Sequence, residues 1–191
     1  FASCLIPPPN LDPIPAAAAM VQAFQTIVTR NINPFHPTLI SVTRLEAGNT
    51  WNVIPQTAQL EGTVRTMDRQ DRCLFEKRLK AIAERTASAY GASAEVEWIP
   101  GPPAVCNDAE MAAFAKETAE AEGFQTVPEE QSLGGDDFSF YVVKVPGCYI
   151  KIGIGMEATI HQPTFQVEQA ALLPAVRYLR GLLLLWVEEN A

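Results

Sequence analysis

Apolar positions along the first half of the chain switch between two periods. Met20, Val21, Phe24, Ile27, Val28 and Ile32 recur at helical spacing. Asp12-Pro13 starts this helix, an acidic cap followed by proline, and Asn33-Pro34 ends it. Thr38 to Leu45 is rich in β-branched residues and predicts a strand, and Ala47-Gly48-Asn49 predicts a turn. Val53 and Ile54 resume an extended pattern that Pro55 interrupts. Ala58, Leu60, Gly62 and Val64 then alternate with Gln59, Glu61, Thr63 and Arg65, the period of two of a half-buried antiparallel hairpin. Asp68 caps a second helix, with Phe75, Leu79, Ile82 and Thr86 as its inward stripe and Gly91 as its stop. Ala94, Val96 and Trp98 alternate with Glu95 and Glu97 as a last strand.

Residues 12–99 therefore read helix, strand, strand, helix, strand. That is one strand short of the βαββαβ unit, a ferredoxin-like antiparallel sheet with two helices on one face, so the first strand is expected ahead of Phe1. Pro100-Gly101-Pro102-Pro103 is the clearest linker and divides the chain at about residue 102. Beyond it, Asn107-Asp108 caps a helix that runs to Glu122 and stops at Gly123. Leu133 to Phe165 combines a glycine turn with two adjacent acids, a short buried strand around Ile150–Gly155, and His161 just beyond it. Glu168 opens a long helix to about Glu189, which Pro174 is expected to kink. Residues 103–191 are too few to bury a core of their own.

Composition narrows the function classes. The 191 residues are 48% hydrophobic and 19% charged, with formal net charge −8. An acidic chain without a basic run argues against nucleic acid and anionic membrane surfaces. The apolar run Leu182 to Val187 is too short to span a bilayer, and no secretion signal pattern opens the chain. Cys4, Cys73, Cys106 and Cys148 are far apart and read as unpaired thiols of a reducing, cytoplasmic compartment.

Several short motifs stand in order along residues 12–185: Asp12-Pro13-Ile14, Asn52-Val53-Ile54-Pro55, Glu61-Gly62-Thr63-Val64-Arg65-Thr66, Tyr90-Gly91-Ala92, Gly134-Gly135-Asp136-Asp137-Phe138-Ser139, Val145-Pro146-Gly147 and His161 with Pro163 and Phe165. In that order and spacing the chain resembles the metal-dependent aminoacylase and carboxypeptidase amidohydrolases, nearest the hippurate hydrolase and indoleacetyl-amino-acid hydrolase branch. The resemblance implies an α/β protein. Residues 1–102 would be a lid and dimerisation domain, and residues 103–191 the C-terminal part of a catalytic α/β domain. It implies hydrolysis of N-acyl amino acids or related amides by water activated on a divalent metal, zinc or manganese. It also implies a homodimer formed through the lid.

By the same resemblance His161 is a metal ligand, Asn52 and Arg65 orient the substrate carboxylate, and Gly135 lets backbone approach the ligand. The general base and most ligands are expected upstream of Phe1, so this chain alone is expected to bind no metal tightly. The family's lid histidine falls at or near Ser3, a weaker neutral donor, so that role does not carry over. Each residue also has a plainer reading. Asn52 can be a turn residue, Arg65 a solvated strand arginine, and Asp136-Asp137 the cap of a short helix. His36, between two prolines, reads as a solvated loop histidine. Two rival functions stand beside the enzyme: a non-catalytic dimerisation module, and a metal-free hydrolase using Ser139 or Ser132, for which no Gly-x-Ser-x-Gly elbow exists.

Overall fold

The computed structural model describes residues 2–6, 11–155 and 162–190, with 2–6, 189 and 190 described by their backbone alone. It divides into two compact units, residues 1–104 with 132–136, and residues 105–131 with 137–191.

In the first unit, β1 (Ala2–Ile6), α1 (Pro13–Asn31), β2 (Thr38–Ala47), β3 (Ala58–Thr66), α2 (Arg69–Ala89) and β4 (Ser93–Glu97) follow one another. The four strands form one sheet in the order β2-β3-β1-β4, every neighbouring pair antiparallel. This is the ferredoxin-like arrangement. The expected vacancy in the sheet is corrected: Ala2–Ile6 is the supposedly missing strand, with Leu5 opposite Ala58 on one side and Ala94 on the other. Its five residues carry no alternation and run straight into Pro7, so no period marks them as a strand. The sheet edges are consequently β2 and β4, not a gap beside β3.

Local chemistry starts both helices. The Asp12 carboxylate accepts from the Ile14 amide at 2.9 Å. Asp68 Oδ1 accepts from the Gln70 and Asp71 amides at 2.7 and 2.9 Å, which removes two orphan donors from the first turn of α2. α2 ends at Tyr90, where Gly91 takes φ +73° and the Ala92 amide returns to the Ala87 carbonyl. One apolar layer joins the two helices to the sheet: Ala16, Ala17, Met20, Phe24 and Ile27 from α1, Phe75, Leu79, Ala83 and Ala87 from α2, and Ile40, Ala58 and Leu60 from the strands. Both helices thus cover one face, as expected. The inward stripe of α2 is a straight row at i+4; Ile82 and Thr86 lie half-buried on its flank, and the small Ala83 and Ala87 take the central places.

The second unit holds α3 (Ala109–Ala121), α4 (Ser139–Val142) and α5 (Gln169–Asn190). α3 and α5 pack where the buried Tyr178 donates its hydroxyl to the Ala115 carbonyl at 3.1 Å, and where a Cβ on Gly181 would stand 3.3 Å from Thr118 Cγ2. The rest of α5 is apolar and exposed: Leu172, Leu173, Val176, Leu179 and Leu183 all face outward. Gln169–Glu188 is long and apolar enough to cross a membrane by length and composition, which corrects the reading taken from the shorter Leu182–Val187 run. Two expected strands do not form. Val53-Ile54 belongs to the loop between β2 and β3, and Ile150–Ile154 has no ladder partner among the described residues. In place of a neighbouring strand, the Asn107 side-chain amide accepts from the Tyr149 amide at 2.8 Å and donates to its carbonyl at 2.9 Å.

Phe24 is the largest fully buried side chain of the layer. Phe24→Ala is expected to destabilise the first unit by about 3–5 kcal/mol. Urea unfolding followed by circular dichroism checks this, as a lower midpoint at unchanged slope.

Candidate functional site

Arg65 is the penultimate residue of β3, on the strand face opposite Ala58 and Leu60. Because side chains alternate, burying those two residues sends Arg65 to solvent. Its cross-strand neighbour is Leu39, which offers no charge. No ion pair or hydrogen bond engages the Arg65 guanidinium among the described residues. The contrast with Arg44, on the adjacent strand, is direct: Arg44 pairs with Glu46 at 2.6 Å and Glu61 at 3.1 Å, and these carboxylates raise its pKa. Of the two, Arg65 is the cation left available for an anion.

Gly135 comes to the same place. A Cβ built on it would stand 2.8 Å from Arg65 Nη1 and 3.5 Å from Pro102 Cγ, so the bare backbone is what lets the guanidinium lie there. The structure therefore brings two of the predicted binding residues together, although 70 positions separate them in the sequence.

Asn52 is elsewhere. It lies exposed in the loop that precedes β3, with its Oδ1 accepting from the Thr50 hydroxyl at 3.1 Å. Arg65 stands near the opposite end of that strand, and seven strand residues span roughly 23 Å. Within this chain Asn52 and Arg65 do not converge. His161 lies outside the described residues. Leading toward it, Gly155 adopts φ +77°, and the Glu168 carboxylate lies against it, with Oε2 2.5 Å from a built Cβ. Sequence reasoning used Glu168 only as a helix start.

Asp137 does not cap α4. The helix begins at Phe138 without a side-chain cap, and only the Asp137 carbonyl takes part, accepting from the Phe140 amide at 3.0 Å. The serine nucleophile fails on access: Ser139 is fully buried, and its Oγ has no hydrogen-bond partner among the described residues, hence no base to polarise it. Ser132 is exposed with no base beside it among the described residues.

His36 is not a free loop histidine. Its Nδ1 is 2.7 Å from Oδ2 of the nearly buried Asp71, which ties the α1–β2 loop to the start of α2. The Asp71 amide, followed by the Gln70 amide and the charge of His36, holds the Asp68 carboxyl below its usual range against a smaller desolvation effect. No local signal joins His36 to Asp71, since the two are 35 positions apart. Cys73, Cys106 and Cys148 are unpaired, as expected, and burial pushes the Cys148 thiol up. Among the described residues no group of three or more His, Cys, Asp or Glu side chains could hold a metal ion.

Comparison with known proteins supplies the rest. Residues 3–185 match the model of peptidase family M20/M25/M40. The chain is 39% identical over 183 residues to an N-acetylcysteine deacetylase of Bacillus subtilis, covering 96% of this chain and 48% of that protein. It is 33% identical over 168 residues to an N-acetyldiaminopimelate deacetylase of Streptococcus sanguinis, covering 84% of this chain and 43% of that one. The crystal structure of the Bacillus subtilis YXEP protein, described as a dinuclear metal binding peptidase, superposes with a TM-score of 0.83 at 35% identity, covering 98% of this chain and 49% of that one. The chain spans about half the length of the relatives it matches.

Two glycines separate the roles glycine plays here. Gly135→Ala is expected to leave the thermal midpoint unchanged, because the obstructing atom is the far end of a flexible arginine. Gly155→Ala forces a side chain into left-handed backbone and is expected to cost about 1–2 kcal/mol. Differential scanning calorimetry of the two variants checks the contrast.

Proposed function

As the chain belongs to peptidase family M20/M25/M40, we propose that it forms the lid and the C-terminal catalytic part of a metal-dependent amidohydrolase acting on N-acyl amino acids. The observation that carries this reading is the Arg65 guanidinium, exposed, without a partner among the described residues and lying against the bare backbone of Gly135. An exposed planar fork without a partner suits a substrate carboxylate, where a charge-assisted pair contributes about 1.5–3 kcal/mol. The names of the relatives, deacetylases of N-acetylcysteine and N-acetyldiaminopimelate, agree in that both substrates carry a free carboxylate.

The described residues do not by themselves fit a metal centre. Their contribution is to bind and orient: Arg65 grips the carboxylate, and Gly135 leaves room for the Arg65 guanidinium. We assign His161 to the metal site as a single ligand of a divalent ion, zinc or manganese, with the remaining ligands and the general base supplied by groups outside the described residues. Asn52 we assign to substrate contact through a second copy of the chain, since within one copy it stands at the other end of β3 from Arg65.

That second copy fits the edge of β2. β4 is five residues long, and Ser93, Glu95 and Glu97 are exposed along it, features that blunt pairing. β2 is ten residues long, exposes Leu39 and Leu45, and runs toward a loop where Trp51, Val53 and Ile54 are also exposed. α5, apolar and exposed over most of its surface apart from Arg177 and Arg180, reads as a helix covered by further protein rather than as a membrane span, which agrees with a soluble, cytoplasmic enzyme.

The test uses the metal-loaded whole polypeptide that contains this sequence. Arg65→Ala is expected to raise KM for N-acetyl-L-cysteine about tenfold or more with kcat nearly unchanged, and to leave hydrolysis of the uncharged N-acetyl-L-cysteinamide alone. His161→Ala is expected to remove most turnover at an unchanged thermal midpoint. Wild-type kinetics in both variants would favour the non-catalytic module. Sedimentation velocity at micromolar concentration is expected to give a dimer that Leu45→Glu, a charge at an exposed position of β2, shifts toward monomer; an unperturbed dimer would move the interface elsewhere.

A further inference from the structure

Arg72 is one turn into α2, with Asp68 and Glu76 four residues to either side. No salt bridge holds it among the described residues. Instead its Nη2 donates to two successive carbonyls of the linker, Gly101 O at 3.1 Å and Pro102 O at 2.6 Å. Three of the four residues Pro100–Pro103 are prolines, which have no N–H to donate. The linker therefore cannot hold itself by a ladder, and among the described residues these two bonds are the only ones its backbone makes.

What the anchored linker does next is a matter of contact. The side-chain space at Gly135 is filled from two directions, by Arg65 Nη1 at 2.8 Å and by Pro102 Cγ at 3.5 Å from a built Cβ. Pro102 is the residue whose carbonyl Arg72 holds most closely. Arg72 thus holds Pro102, and Pro102 and Arg65 share the space where a Gly135 side chain would stand. All four residues lie within one compact unit.

We propose that Arg72 is a positioning residue that sets the geometry of the carboxylate site through the linker, an inference that rests on the reading of Arg65 given above. In this reading Arg72 acts through the linker, to which its Nη2 gives both of its hydrogens, and not on the substrate. Its effect is on alignment. A guanidinium fork holds a carboxylate by two parallel bonds, and displacement of its supports by about 1 Å is enough to loosen such a site. Without Arg72 the linker loses its hydrogen bonds, Pro102 no longer braces Gly135, and Arg65 keeps its charge but not its place.

The experiment is a double-mutant cycle in the metal-loaded whole polypeptide, read with N-acetyl-L-cysteine and N-acetyl-L-cysteinamide. Arg72→Ala is expected to raise KM for the carboxylate substrate about three- to tenfold, with kcat within about twofold and the carboxamide unaffected. Arg72→Lys, which can still donate to a carbonyl, is expected to recover part of the loss. In an Arg65→Ala background, Arg72→Ala is expected to change KM no further. An equal rise for both substrates would make Arg72 an ordinary structural residue and overturn the proposal, as would full additivity with Arg65→Ala, or an unchanged KM in Arg72→Ala when Arg65→Ala raises it. If Arg65→Ala is itself silent, the carboxylate reading fails first, and this inference falls with it. Should Arg72→Ala not fold, Pro102→Gly removes the same brace without touching α2 and is held to the same outcomes.

Discussion

The register of β3 is the constraint on which the first unit depends. β3 is hydrogen-bonded on both sides, to β2 and to β1. Leu60 stands opposite Leu45 on one side and Ser3 on the other. A slip of one residue would carry Ala58 and Leu60 out of the apolar layer and turn Arg65 toward it. An unpaired guanidinium in that layer is far more costly than the slip could recover. The same parity that seals the core therefore presents the cation, and the fold and the candidate site are one arrangement. It continues along the chain: Thr66 closes β3, its Oγ1 accepts from the Asp68 amide at 3.2 Å, and Asp68 caps the helix that carries Arg72.

The second unit has a different economy. Only Ala115, Thr118, Ser139 and Tyr178 are buried among its described residues. α5 spends one narrow face on α3 and leaves most of its leucines exposed, an apolar surface that further protein would cover. The stretch Ile150–Ile154 has strand composition and no ladder partner among the described residues, because a strand is a pairing and not a property of one segment. Asn107 satisfies one residue's backbone groups there and no more.

Charge sets Arg44 and Arg65, on adjacent strands, apart. The chain carries a formal net charge of −8, which repels anionic ligands at long range. Arg44 is paired with Glu46 on its own strand and Glu61 on the next, whereas Arg65 faces Leu39. In the proposed reading, a substrate carboxylate would meet the Arg65 guanidinium where it lies against Gly135, so that any selectivity for acids would come from local geometry against an unfavourable overall field.

Local signals in the sequence determined the elements that rest on local physics. Asp12, Asp68 and Asp108 cap their helices through bonds two and three residues away, Gly91 and Gly123 end two of them in left-handed backbone, and the alternation from Ala58 to Arg65 orients every side chain of β3. Order and spacing of short motifs were enough to indicate the family and to single out Arg65 and Gly135. Tertiary structure decided whatever needed a distant partner. It made Ala2–Ile6 a central strand, because only β3 and β4 together give that unpatterned run its ladder. It denied Ile150–Ile154 the same status, joined His36 to Asp71, and separated Asn52 from Arg65 by the length of β3. It also brought Arg72, Pro102, Gly135 and Arg65 together, which no sequence period encodes because each approach closes a loop of a different length.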